Sequence, residues 1–309
     1  MEFVLKTYDL VKKYRKFTAL NGLSMNVPKG SIYGFVGRNG AGKTTLIRMI
    51  CGLQFPTSGY FEMFGVENTD SKILDCRKRI GAVVETPAIY LGMTAEENLK
   101  MQYLTLGIPD YRGIPELLET VGLADTGKKT ARNFSLGMKQ RLGIAVALCG
   151  SPDMLILDEP INGLDPQGII EMRELILKLN HEHGITILIS SHILDELSKL
   201  ATHYGFIDNG KIIREMSAEE LEQASRKSMH IEVTDTGALS AVLDEMGMEY
   251  KITDDHNAEI YGKPNITGLS RALLPSGCEI LSINEHDESL ESIFISLVGG
   301  GDHDQASAH

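Results

Sequence analysis

The chain has 309 residues, 42% of them hydrophobic and 23% charged, which is enough apolar content for two packed domains. No apolar run approaches the ~20 residues that cross a bilayer, and the start Met1-Glu-Phe-Val-Leu-Lys lacks the form of a signal peptide, so a soluble cytoplasmic protein is expected. The net charge of -12 lies mostly from Ser225 onward, where 15 acidic residues face 5 basic ones against 27 and 25 before it, and an acidic chain is a poor fit to nucleic acid.

In chain order, Phe3 to Lys12, Phe17 to Val27 and Ser31 to Val36 read as strands, separated by the turns Lys13-Tyr14-Arg15-Lys16 and Pro28-Lys29-Gly30. Tyr14, in the basic turn, either stacks on a purine ring or covers the edge of the sheet. The third strand runs into Gly37-Arg38-Asn39-Gly40-Ala41-Gly42-Lys43-Thr44-Thr45, which meets G-x-x-x-x-G-K-[ST] at every fixed position. In such a loop successive backbone N–H groups curl around the β- and γ-phosphates of a nucleotide. Gly40 and Gly42 are read as the places where a Cβ would hold the backbone off the oxygens. Lys43 supplies a point charge and Thr44 a hydroxyl for Mg²⁺, while the helix from Lys43 to Met49 aims its positive end at the phosphates.

Arg79 to Val84 is a β-branched strand ended by Glu85-Thr86-Pro87. Helical signals follow: a capping box at Thr94-Ala-Glu-Glu97 and an apolar period over Ile114 to Val121, giving a helical insert over roughly residues 90–150. Near its end, Asn133-Phe134-Ser135-Leu136-Gly137-Met138-Lys139-Gln140-Arg141 enters a helix that stops at Gly150 before Pro152. Ser135 and Gly137 therefore sit at a helix N-terminus, where they either cap it or hold an anion. Met154 to Leu157 is a central-strand run ending in Asp158-Glu159-Pro160, at the edge where open α/β sheets bind ligands. Asp158 is expected to hold Mg²⁺ through water and Glu159 to polarise the attacking water. After the tight loop Asn162-Gly-Leu-Asp165 and a helix over Pro166 to His181, the buried strand Ile185 to Ile189 ends in Ser190-Ser191-His192. His192 thus shares the edge of Asp158, which favours a functional over a structural histidine. Tyr204 to Ile213 forms a hairpin over Asp208-Asn209-Gly210.

A charged linker, residues 218–228, leads to a second unit read as strand Met229 to Val233, helix Gly237 to Met246, strands Glu249 to Thr253 and Ala258 to Gly262, helix Ile266 to Leu274 and strand Glu279 to Asn284. That is the β-α-β-β-α-β order of ferredoxin-like α+β domains, assigned to residues 229–298 with a last helix from Leu290 to Val298; residues 299–309 are expected to be a disordered tail. Cys51, Cys76, Cys149 and Cys278 have no C-x-x-C spacing and read as reduced core thiols.

In register, these elements resemble the nucleotide-binding subunits of ABC transporters, whose domain covers residues 1–217. Tyr14 resembles the adenine-stacking aromatic, Gly37 to Thr45 the Walker A loop, Ser135-Leu-Gly137-Met138 a variant signature, Met154 to Glu159 Walker B, Asn162 to Asp165 the D-loop and His192 the switch histidine. Glu85 stands where that family has its Q-loop glutamine, so the stretch Ile80 to Tyr90 is similar to the E-loop of bacitracin- and lantibiotic-type exporters. The resemblance implies an α/β P-loop NTPase fold and an ATPase using ATP and Mg²⁺. Gly37, Asn39, Gly40, Gly42, Lys43, Thr44 and Thr45, with Tyr14, Ser135, Gly137 and Asp165, are its nucleotide contacts; Thr44, Glu85 and Asp158 lie about the metal, and Lys43, Glu159 and His192 are catalytic. It also implies a head-to-tail homodimer that drives a separately encoded permease from the cytoplasmic side of the membrane, exporting an antimicrobial peptide or similar amphiphile. A soluble ABC ATPase acting on ribosomes or DNA is the alternative. Such proteins usually carry two cassettes or a long coiled coil, whereas this chain has one phosphate loop and no sustained heptads.

Overall fold

The computed structural model describes residues 2–224, 228–262, 264–286 and Ile295, and it divides the chain into two compact units, Met1–Ala218 and Glu219–His309. The first unit opens with β1 (Phe3–Tyr14) and β2 (Phe17–Pro28), paired antiparallel with Tyr14 opposite Phe17. The hairpin turn is therefore the two residues Arg15-Lys16 rather than the four expected, with Arg15 left-handed at φ 40°. β4 (Ser58–Met63) pairs antiparallel with β1, and β5 (Val66–Glu67) extends the sheet.

The larger sheet runs β10-β9-β3-β8-β7-β6. Its strands are β3 (Ile32–Val36), β6 (Ile80–Val83), β7 (Met154–Asp158), β8 (Thr186–Ser191), β9 (His203–Asp208) and β10 (Lys211–Ser217). All pairs are parallel except β10 on β9, which closes over Asn209-Gly210, both left-handed. Every residue of β3, β7 and β8 is buried, as their unbroken apolar runs require of strands covered on both faces. Because the strands are parallel, the segments following β3, β6, β7 and β8 leave by one edge. The phosphate loop, Glu85, Glu159 and His192 all follow from that topology.

The helices of this unit are α1 (Lys43–Ile50), α2 (Ile73–Lys78), α3 (Ala95–Leu106), α4 (Ile114–Thr120), α5 (Leu136–Leu148), α6 (Pro166–His181) and α7 (Leu194–Ser198), and α8 (Ala218–Ala224) starts at its last residue and continues into the second unit. α3 starts on the expected capping box, with Thr94 accepting from the Glu97 N–H and Glu97 accepting from the Thr94 N–H. α8 fills residues 218–224 of the segment expected as linker. Residues 58–78, to which no element was assigned above, hold β4, β5 and α2.

In the second unit β11 (Ser228–Val233), α9 (Thr236–Glu245), β12 (Tyr250–Ile252), β13 (Asn257–Tyr261), α10 (Ile266–Leu273) and β14 (Ile280–His286) keep the expected order. The all-antiparallel sheet β12-β13-β11-β14 has the ferredoxin-like arrangement, over a core that includes Ile231, Val233, Leu239, Leu243, Ile260 and Leu269. The helix read over Leu290 to Val298 and the tail over residues 299–309 lie outside the described residues.

Candidate functional site: the phosphate loop and the facing carboxylates

The phosphate loop joins β3 to α1 in a tight curve. Gly40 and Gly42 have φ of 85° and 113°, which side-chain-bearing residues rarely adopt. A Cβ on Gly42 would stand 2.6 Å from the Ala19 carbonyl oxygen, and one on Gly37 2.5 Å from the carbonyl oxygen of Ile207, whereas one on Gly40 would meet nothing within 4 Å. Gly42 and Gly37 thus pack closely under the loop, while Gly40 faces open space and is set apart by its backbone angle. Arg38, Asn39 and Gly40 form the exposed rim, while Thr45 is half-buried behind it.

Lys43 is 6% exposed and folds back over the loop, donating from Nζ to the Gly37 carbonyl at 2.7 Å, and it lies 3.3 Å from Glu159 Oε1. The other oxygen, Glu159 Oε2, is 2.7 Å from His192 Nδ1. Glu159 therefore stands between the P-loop lysine and the histidine that follows β8. Its backbone is left-handed at φ 53°, held by N–H donation to the hydroxyl (3.0 Å) and carbonyl (3.1 Å) of Ser190. Asp158, buried in β7, accepts from Thr44 Oγ1 at 2.9 Å on Oδ2 and from Ser190 Oγ at 2.5 Å on Oδ1. A hydroxyl beside a carboxylate is the hard-oxygen donor pair that suits Mg²⁺, so Thr44 and Asp158 fit the metal implied by the motif.

The remaining expected residues are placed elsewhere. The Glu85 carboxylate pairs with the Arg48 guanidinium on α1, the helix that Thr44 helps to begin. Tyr14 is 40% exposed, with its hydroxyl on Gln54 and Lys12 Nζ 5.3 Å from its ring centroid. Ser135 is the N-cap of α5, accepting from the Met138 N–H at 3.2 Å. Asp165 caps α6 in the same way, accepting from the Gly168 N–H at 3.2 Å. A Cβ on Gly137 would lie 3.7 Å from Leu164, and one on Gly163 3.3 Å from Leu136, so the signature turn packs against the loop before α6. Sequence reasoning passed over Ser190, Arg48 and Gln54. Ser190 alone had a local signal, lying two residues before His192 at the end of the same strand.

A glycine-bound loop between strand and helix, with two acidic residues ending a neighbouring parallel strand, defines a P-loop nucleoside triphosphatase. Within that class, the sequence profile described as "ABC transporter" matches residues 20–162. The bacitracin transport ATP-binding protein BcrA of Bacillus licheniformis is 44% identical over 304 residues, covering 97% of this chain and 99% of that one. The lantibiotic transport ATP-binding protein SrtF of Streptococcus pyogenes is 46% identical over 223 residues, covering 71% and 95%. Among solved structures, the ADP conformation of MJ1267, an ATP-binding cassette of an ABC transporter, aligns with a TM-score of 0.66 at 28% identity, covering 73% and 95%. The chain belongs to the ABC transporter ATP-binding family, and it is an ATPase of that family. Among the described residues no helix is long and apolar enough to cross a membrane.

Proposed function

We propose that this chain is the ATP-hydrolysing motor subunit of a bacterial exporter, working as a head-to-tail pair on a separately encoded permease at the cytoplasmic face of the membrane. The cargo class proposed is an antimicrobial peptide or similar amphiphile, supported by relatives named for bacitracin and lantibiotic transport. The observation that carries the catalytic reading is Glu159 held between Lys43 and His192 at the sheet edge beside the phosphate loop.

In this reading the loop amides and Lys43 bind the β- and γ-phosphates, and Tyr14 stacks on the base. Thr44 and Asp158 hold Mg²⁺, which when bound offsets phosphate charge. Glu159 takes the proton of the attacking water and His192 fixes the carboxylate that does so. Ser135 and Gly137, at the N-terminus of α5, serve the nucleotide of the second copy, which is why two copies are needed. A groove of about 400 Å³ lined by Ala88, Ile89, Tyr90, Met101, Gln102 and Thr105 follows directly on Glu85 and suits a permease loop. The acidic ferredoxin-like unit is proposed as an accessory, regulatory or dimer-stabilising part, since every candidate site residue precedes it.

Glu159→Gln tests the proposal, because the amide keeps the shape but cannot accept the proton. Hydrolysis should fall by about 10²–10⁴-fold while ATP binding persists, and ATP-bound dimers should accumulate on size exclusion in Mg-ATP. A variant that stays monomeric and turns over at the wild-type rate would overturn it.

A further inference from the structure

Glu85 sits at a place where the chain has little freedom. It follows β6 by two residues, its φ is 60°, and Pro87 lies two residues on. At the far side, buried Asn98 grips the loop by accepting from the Tyr90 N–H at 2.7 Å and donating to the Tyr90 carbonyl at 3.1 Å. Between these anchors the carboxylate reaches α1, where Arg48 takes it; the two side chains are 56% and 37% exposed. Arg48 lies one helical turn beyond Thr44, so the ion pair holds the carboxylate beside the helix that begins at the phosphate loop.

We infer that Arg48 is a positioning residue that parks the Glu85 carboxylate on α1, so that Glu85 reaches the metal pair Thr44 and Asp158 only by giving up this ion pair. The inference rests on the reading of Glu85 as a group that senses the metal. Its chemistry is specific to a carboxylate at this position. A glutamine there would offer Arg48 only a neutral amide oxygen, whereas Glu85 forms an ion pair through oxygens for which a divalent cation competes. Because the pair is partly exposed, salt weakens it, and the latch is a modest one.

The test uses the full chain and two readouts. In the nucleotide- and metal-free protein, amide exchange over residues 84–89 should speed by about two- to fivefold in Arg48→Met and in Glu85→Gln, the range expected for loss of a partly exposed ion pair. The double variant should go no further, and Arg48→Lys, which keeps the charge, should stay near wild type. In the second readout, Mg²⁺ is titrated into protein with a fluorescent ATP analogue. Arg48→Met should lower the half-saturating Mg²⁺ by the same factor when Glu85 is present and leave it unchanged in the Glu85→Gln background. Unchanged exchange in Arg48→Met, or additive effects of the two substitutions, would overturn the latch. A Glu85→Gln variant whose Mg²⁺ midpoint equals wild type would instead overturn the metal-sensing reading of Glu85, leaving the latch to be decided by the exchange data.

Discussion

Ser190 bridges the two carboxylate positions of the site and is fully buried, so its hydroxyl is a sensitive point to perturb. Ser190→Ala removes a donor to Asp158 Oδ1 at 2.5 Å and an acceptor of the Glu159 N–H at 3.0 Å. The Glu159 N–H keeps a second partner in the Ser190 carbonyl at 3.1 Å, so the loss is dominated by the buried carboxylate. A hydrogen bond to a charged group contributes about 1.5–3 kcal/mol, and ~2 kcal/mol is expected here. For a domain of this size that lowers Tm by about 4–8 °C. Ser191→Ala is the matched control: equally buried, its oxygen accepts from the Ile193 N–H at 2.9 Å, a neutral bond that contributes about 1 kcal/mol. Thermal and denaturant unfolding of the full chain should rank Ser190→Ala below Ser191→Ala. The cost of Ser190→Ala should shrink in an Asp158→Asn background, where the acceptor is neutral. A Ser190→Ala variant within about 0.5 kcal/mol of wild type, or equal to the control, would refute the bridge.

Gly37→Ala should destabilise the protein and weaken nucleotide binding because its Cβ meets the Ile207 backbone, whereas Gly40→Ala, with open space but φ 85°, should cost only about 1 kcal/mol. Equal losses on denaturant melting would contradict the packing argument. Burial pushes the Cys51 thiol up to about 12 from 9.0, against a smaller lowering by Arg77, and burial likewise pushes Cys149 to about 12. At pH 8 both should resist a thiol-titrating reagent until the chain is denatured. The same shifts favour the folded state fully below pH 9.0 and are lost as pH rises from there toward about 12, which a stability profile would register.

What could be read from the sequence was chemistry confined to contiguous residues. The phosphate loop, the strand ending in Asp158-Glu159 and the caps at Thr94 and Ser135 each need neighbouring residues in a fixed order, and each falls in the expected element. β4 escaped because only Phe61 and Met63 of its six residues are buried, too short a period to read, and α2 because it buries only Ile73 and Cys76. The pairs Ser190 with Asp158, Arg48 with Glu85 and Gln54 with Tyr14 join residues 32, 37 and 40 positions apart. No helical or strand period encodes which side chain faces which over such spans; sheet order decides it. The cap formed by Asp165 on α6 follows the local rule for an Asp before Pro at a helix start.

The two oxygens of Glu159 have different partners, and that difference yields a separable prediction for His192. Oε1 lies 3.3 Å from Lys43 and Oε2 2.7 Å from His192 Nδ1. A γ-phosphate drawn to Lys43 competes for the ammonium and releases Oε1, while the contact through Oε2 leaves the carboxylate oriented. His192→Ala should therefore leave nucleotide binding near wild type, since Lys43 and the loop amides are untouched. It should lower single-turnover hydrolysis by about 10²-fold or more, because an unheld base loses the alignment on which proton transfer depends. If the histidine works through Glu159, the His192→Ala and Glu159→Gln losses must fall short of adding, as they do for residues acting as one unit. Fully additive rate losses, or a His192→Ala chain that binds ATP poorly while the bound nucleotide turns over normally, would show that the histidine acts on the nucleotide independently of Glu159.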